Sequence, residues 1–133
     1  MTSKVTYLGD LRTSSIHLQS GTEILSDAPL DNNGKGEAFS PTDTVANALA
    51  TCMMTIMGIK SRDMDVDLKG SSAQVIKIMN ADPRRIGAIE IAFDMYGATE
   101  LKNRTILERA AMTCPVFLSL HPEIEKRITF NWK

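Results

Sequence analysis

The sequence has few of the residues on which several common functions depend. Only two cysteines occur in 133 residues, and neither a CxxC motif nor a cluster of cysteine and histidine is present, so a metal site is not expected. Aromatic residues make up 5% of the chain, and its 15 basic residues are scattered among 16 acidic ones. A net charge of -1 without a basic block gives no electrostatic reason to expect nucleic acid or an anionic membrane as a partner.

Long hydrophobic runs are also missing. The first ten residues lack the apolar segment of a secretory signal. The most apolar stretch, residues 45–59, is interrupted by Asn47, Thr51 and Thr55 and is shorter than the ~20 residues that span a bilayer. We therefore expect a cytoplasmic protein, in which cysteines are more often free or catalytic than permanently bridged. The length and the 43% hydrophobic content predict one domain over residues 1–133.

What is present is a series of strands around two helical stretches. Ser40-Pro41-Thr42-Asp43 predicts a helix start, because Ser40 can cap the helix, Pro41 suits its first turn and Asp43 completes a capping box. This helix should end near Ile59 and be buried on all sides, since apolar residues occupy nearly every face, and partner subunits are a natural source of the cover. The other elements are predicted as strands at residues 13–20, 23–27, 66–79, 86–96 and 128–132 and a helix at residues 100–113. We expect an α+β fold in which a curved antiparallel sheet wraps around the helices.

Each cysteine has both a structural and a functional interpretation. Cys52 lies in mid-helix, where the simplest interpretation is a small side chain packed in the core. Activation of its thiol needs a cation that reaches it from elsewhere. Cys114 precedes Pro115, so it marks either a kink between two helical segments or the N-cap of a new one, where amides and the helix dipole lower a thiol pKa. The residues by themselves leave these alternatives open.

Four segments, in this order, resemble the OsmC and organic hydroperoxide resistance (Ohr) family. They are Gly9-Asp10-Leu11-Arg12-Thr13, the Asp27-Ala28-Pro29 loop, the helix from Ser40-Pro41-Thr42-Asp43 to Ala48-Leu49-Ala50-Thr51-Cys52-Met53, and Thr113-Cys114-Pro115. The similarity extends over essentially the whole chain. It implies an intertwined homodimer with two central helices and an active site at the subunit interface.

The resemblance also implies a chemistry, that of a thiol peroxidase that reduces organic hydroperoxides without a cofactor. Cys52 would be oxidised to a sulfenic acid, and Cys114 would resolve it as a disulfide. An external dithiol, typically lipoyl-linked in Ohr proteins, would then reduce the disulfide. Arg12 matches the arginine that stabilises the thiolate and binds the peroxide oxygens. The local argument makes Cys114 the better-activated thiol, whereas the family assigns the attack to Cys52, and we follow the family.

The acidic partner of the family site departs from the pattern. Peroxidase members have a glutamate soon after the helix-starting proline, where this chain has Thr42 and Asp43. Asp43 is therefore the candidate acid, but it stands nine positions before Cys52, roughly 13.5 Å along the same helix. It can act on a Cys52 only from a partner subunit or a neighbouring helix end. The missing glutamate favours an alternative function, a dimeric OsmC-like binding or redox-sensing protein with little or no peroxidase activity.

Overall fold

The N-terminal part of the chain forms a small antiparallel sheet. The computed structural model describes all 133 residues, whose contacts group them into two compact units, Met1–Val45 and Ala46–Lys133, so a single domain over residues 1–133 stays a prediction. In the first unit, strands β1 (Ser3–Gly9), β2 (Arg12–His17) and β3 (Glu23–Asp27) pair in that order. Asp10 and Leu11 join β1 to β2 with φ angles of 52° and 63°, the left-handed geometry that a two-residue hairpin turn requires.

The second unit combines a mixed sheet with the helices. Helix α1 (Pro41–Ser61) begins in the first unit and continues into the second, where α2 (Leu101–Ala111) and α3 (Pro115–Ser119) follow. The strands are β4 (Ser72–Ala81), β5 (Arg84–Met95) and β6 (Glu125–Trp132), in the sheet order β4-β5-β6. The predicted α+β class is confirmed.

The strand arrangement differs from the single antiparallel sheet that we expected. There are two three-stranded sheets, and β6 runs parallel to β5 because the chain returns through the helical crossover of α2 and α3. Strand β4 also begins later than predicted. Arg62–Met64 forms a turn of 3₁₀-helix, and Asp65 (φ 54°) and Gly70 (φ 92°) keep the following segment out of the extended conformation.

The core of the second unit lies between α1, α2 and one face of β5. Alternate residues of β5 point to the same face, as the two-residue period of a strand requires. The largest side chains in this core with 0–1% exposure are Leu49, Met53, Met57, Ile89, Ile91, Phe93, Met95 and Leu107. A continuous apolar core of this kind supports the helix that carries Cys52.

Helix α1 starts as predicted but is not buried on all sides. The amide of Asp43 donates to Ser40 Oγ and the amide of Ser40 donates to Asp43 Oδ2, each at 3.0 Å, which is a reciprocal capping box. In the single chain Val45, Thr51 and Ile59 are exposed, so complete burial of the helix by partner subunits stays a prediction. The core covers one side of this apolar helix, and the other side stays accessible.

Candidate active site

Cys52 lies near the middle of α1, on the side that the core leaves accessible. Its side chain is half-buried and packs against the edge of the core. Val45, Ala48, Cys52, Ile56 and Ile59 follow one another at intervals of three or four residues and so form a stripe along the helix. Val45 is 38% exposed and Ile59 57% exposed. The Cys52 thiol therefore belongs to an apolar helix face that is only partly covered, which we call the Cys52 stripe.

Cys114 is completely buried at the start of α3. It is the N-cap residue of this helix, with Pro115 following it, and its Sγ accepts a hydrogen bond from the Phe117 amide at 3.2 Å. Of the two alternatives that the Cys-Pro sequence leaves open, a kink and an N-cap, the N-cap is the one observed. The expected lowering of its thiol pKa is wrong: burial raises the pKa of Cys114, and the opposing effect of the Phe117 amide is not sufficient to reverse it.

The structure brings the two thiols together. Both cysteines are free, and a hydrogen bond between the Cys52 and Cys114 side chains also raises the pKa of the Cys114 thiol. Cys114 belongs to the core, and Cys52 packs on its edge. One thiol is thus accessible and the other is protected and kept in its protonated form. If one of two neighbouring thiols is oxidised to a sulfenic acid, the other can react with it directly to form a disulfide.

Arg12 is held by two carboxylates within the first unit. Its Nε donates to Asp27 Oδ1 at 2.6 Å, and its Nη2 donates to Asp27 Oδ2 at 2.8 Å and to Glu37 Oε2 at 3.0 Å. The hydrogen bond to Asp27 is the largest cause that raises the pKa of Arg12, and in return Arg12 lowers the pKa of Asp27. The guanidinium is therefore a fixed cation in a two-acid bracket formed by Asp27 and Glu37.

Asp27 and Glu37 were not predicted as site residues. Asp27 ends β3 directly opposite Arg12, the first residue of β2, and the pairing of Ile16 with Glu23 keeps the same register. Folding the chain about the Gly21 turn would have revealed this pair, because residues that oppose each other in an antiparallel hairpin lie on the same face. For Glu37, which lies in the loop before α1, the sequence contains no comparable signal.

Asp43 is occupied at the start of its own helix. Its carboxylate accepts the Ser40 amide in the capping box, and Cys52 lies nine positions further along α1. The capping box thus gives Asp43 a structural role at the start of α1. A catalytic part for Asp43 stays a prediction that needs a partner subunit or a neighbouring helix end.

A cavity of about 440 Å³ lies between α1 and α2. Ile56, one helical turn after Cys52, and Thr113, the neighbour of Cys114, both line it. Its other lining residues are Ile59, Lys60, Asp63, Ile106, Arg109 and Ala110. Because most of its lining surface is apolar, this cavity offers room for an organic molecule, although neither cysteine itself lines it.

Neither a metal centre nor a membrane-spanning helix is found in the structure. No group of three or more histidine, cysteine, aspartate or glutamate side chains is arranged to hold a metal ion. None of the helices combines the length and the apolarity needed to cross a bilayer.

Comparison with known proteins places this site in a family. Residues 34–129 match the family model of OsmC-like proteins, and the chain belongs to this family. A Psychrobacter arcticus protein provisionally assigned to the osmotic stress and detoxification response is 54% identical, with a TM-score of 0.95 over 98% of this chain and 96% of that one. Comparison with curated proteins gives no match.

More distant structures share the fold. The organic hydroperoxide resistance protein OsmC of Legionella pneumophila is 14% identical and superposes with a TM-score of 0.72 over 98% of this chain and 97% of that one. The organic hydroperoxide resistance protein OhrB of Bacillus subtilis is 15% identical, with a TM-score of 0.68 and 98% coverage of both chains. At these identities the likeness is one of fold, and the family includes proteins named for hydroperoxide resistance.

Proposed function

We propose that this protein is a thiol-dependent peroxidase that reduces organic hydroperoxides through a two-cysteine cycle, in defence against oxidative stress. The observation that carries the proposal is the hydrogen-bonded pair of free thiols, one accessible on α1 and one buried at the start of α3. Two free thiols in contact can form a disulfide after one of them is oxidised, whereas a lone buried cysteine has no second thiol with which to do so.

The cycle begins at Cys52, the more accessible thiol. Its thiolate attacks the terminal oxygen of the hydroperoxide, so an S–O bond forms as the O–O bond breaks. Cys52 becomes a sulfenic acid, and the alkoxide leaves as the alcohol by taking up, through solvent, the proton that the Cys52 thiol released on ionisation. Arg12 contributes positive charge that favours the thiolate and the developing negative charge on oxygen. The apolar cavity beside Ile56 provides room for the organic part of the substrate.

Cys114 completes the oxidative half of the cycle. Because burial raises its pKa, the Cys114 thiol stays protonated and is a poor competitor for peroxide. When Cys52 carries a sulfenic acid, the Cys114 sulfur attacks it, an S–S bond forms, and the hydroxyl leaves with the Cys114 proton as water. An external dithiol, such as a lipoyl-linked one, then reduces the disulfide by two exchange steps and is itself oxidised.

The active unit in this proposal is a homodimer. The Cys52 stripe is apolar and partly uncovered, as is expected of a surface that packs against a second copy. Such packing would cover Cys52 and provide the subunit interface at which Arg12, and Asp43 if it takes part, act on the thiol. A cytoplasmic location remains a prediction, in agreement with the free state of both thiols.

The two serine variants of the cysteines test the proposal. After one equivalent of cumene hydroperoxide, the wild-type chain should lose two free thiols, and a dimedone adduct should form in Cys114→Ser but not in Cys52→Ser. Peroxide consumption with dihydrolipoamide should be abolished in Cys52→Ser. In Cys114→Ser it should stop after one oxidation per chain. Full turnover by Cys52→Ser would contradict the proposal. Wild-type thiols that survive the peroxide would support the alternative of a binding protein, whereas thiols that are oxidised once without turnover would support the redox-sensing alternative.

A further inference from the structure

The carboxylate of Asp27 is the least exposed acidic group associated with the proposed site. Asp27 is 2% exposed, and its two oxygens receive Arg12 Nε, Arg12 Nη2 and, at 3.1 Å, the Glu37 amide. Such a two-point pairing fixes both the position and the plane of a guanidinium, because each N–H meets its own oxygen. A carboxylate this deeply buried has no freedom to follow a moving arginine.

The pairing also determines which donors of Arg12 remain available. A guanidinium has five N–H groups, and within the first unit three of them are used, two by Asp27 and one by Glu37. The two N–H groups of Nη1 are left over. Because the guanidinium is planar and its Nε–Nη2 edge is bound to a buried group, Nη1 projects in one fixed direction.

The backbone beside Arg12 supports the same arrangement. Leu11, immediately before it, adopts a left-handed φ of 63°, which is uncommon for a leucine. The Leu11 carbonyl accepts the Ala28 amide at 3.0 Å, immediately after Asp27. The hairpin turn and the end of β3 are thus joined directly beside the Arg12–Asp27 pair.

We propose that Asp27 is a positioning residue that holds Arg12 with its Nη1 edge directed at the peroxide, in place of the acid that the family has after its helix-starting proline. This role rests on the proposed peroxidase function. Asp27 does not touch the substrate and acts only through Arg12. Glu37, whose side chain is 64% exposed and which accepts one bond, assists it. Asp43, bound to the start of its own helix, is not required for this orientation.

Asp27→Asn tests the role, because the amide keeps the size of the side chain and cannot accept the same two-point pairing. We expect kcat/KM for cumene hydroperoxide to fall by about 10- to 100-fold, the cost of a misplaced catalytic group. Glu37→Gln should cause a smaller loss. Glu125→Gln is the matched control, since it takes one carboxylate from Arg127, another arginine held by two acids, and activity should not change.

A double-variant cycle separates positioning from general structural damage. If Asp27 acts through Arg12, Asp27→Asn should cause no further loss of activity in an Arg12→Ala background. An equal loss in both backgrounds, or wild-type kcat/KM in Asp27→Asn, would overturn the proposal. Should Asp27→Asn fail to fold, Asp27→Glu keeps the charge and shifts the guanidinium, and wild-type activity in this variant would overturn the proposal as well.

A second measurement keeps this role distinct from the peroxidase function. In Cys114→Ser, where Cys52 is the single thiol, Arg12 should speed alkylation by anionic iodoacetate relative to neutral iodoacetamide. Asp27→Asn should lower this ratio of rates, and Glu125→Gln should not. A wild-type protein without turnover would refute the proposed function, whereas an unchanged ratio in Asp27→Asn would refute the positioning role.

Discussion

The two sheets of this protein bury different kinds of side chain. In the β4-β5-β6 sheet, Ile89, Phe93 and Met95 are all 0% exposed and form a core with the helices. In the β1-β2-β3 sheet, Val5 and Ile24 are 62% and 59% exposed. The buried side chains of that sheet are polar, namely Ser14 and Asp27.

The two sheets therefore have different roles, since the second supports the fold and the first holds a charged group of the proposed site. The second sheet stabilises the helices that carry both cysteines, so the thiols rest on a rigid apolar support. The first sheet uses a buried carboxylate to hold a cation, and its register places Val5, Ser15 and Ile24 side by side. With Tyr7, two residues after Val5 and 65% exposed, Val5 and Ile24 form an uncovered apolar face. We infer that the first sheet reaches its full stability only against a second copy.

The largest effect is expected from the core of the second sheet. Phe93 stacks on Phe130 with ring centroids 5.1 Å apart, and Phe93→Ala would leave a cavity there. The free energy of unfolding should fall by about 3–5 kcal/mol. Urea unfolding should show the same loss at every protein concentration. Ile76→Ala, at a side chain of this sheet that is 56% exposed, is the control and should change stability by less than about 0.5 kcal/mol.

A smaller, concentration-dependent effect is expected from the first sheet. The apparent stability of a dimer changes by about 1.4 kcal/mol for each tenfold change in protein concentration. The combined variant Val5→Ser and Ile24→Ser should weaken this dependence, whereas Ile76→Ser should retain it. Sedimentation equilibrium would report the dissociation directly. A wild-type unfolding midpoint that does not change with concentration would contradict the inferred role of a second copy.

Much of the fold could be predicted from local sequence signals. The capping box of Ser40 and Asp43 and the N-cap at Cys114 depend on neighbouring residues, and both are present. The parallel pairing of β6 was missed because it depends on where a crossover returns the chain, which strand patterns do not specify. The sequence also indicates that α1 needs cover on every side, but composition does not specify which side the chain's own core covers.

The site shows the same division between local and non-local information. The pairing of the two thiols followed from the family resemblance, but the direction of the Cys114 pKa did not follow from its N-cap position. The N-cap position predicts the hydrogen bond from the Phe117 amide, which lowers the pKa of Cys114. The burial that raises this pKa depends on side chains distant in sequence. The pairing of Asp27 with Arg12 depends on strand register, which local sequence signals do not specify, whereas the capping role of Asp43 depends only on its neighbours.

The smallest effect expected is on the pH dependence of the free energy of unfolding. It distinguishes the buried acid of the first sheet from the exposed acids of the second. Arg12 lowers the pKa of Asp27 below its usual value of 3.8, so this carboxylate stabilises the fold above that value. The stabilisation is lost as the pH falls through the lowered pKa. Asp27→Asn should therefore be less stable than wild type at pH 7, with the difference shrinking as the pH falls below 3.8. Urea unfolding between pH 7 and pH 2 would measure this difference.

Glu125 in β6 provides the comparison for Asp27. Arg127 lowers the pKa of Glu125 as well, but the Glu125 side chain is 61% exposed and solvent screens the pair. Glu125→Gln should therefore differ little from wild type at any pH. If Glu125→Gln and Asp27→Asn changed the pH dependence equally, burial would not be what distinguishes the two arginine sites. In that case the two-acid bracket around Arg12 would be an ordinary surface cluster like the one around Arg127.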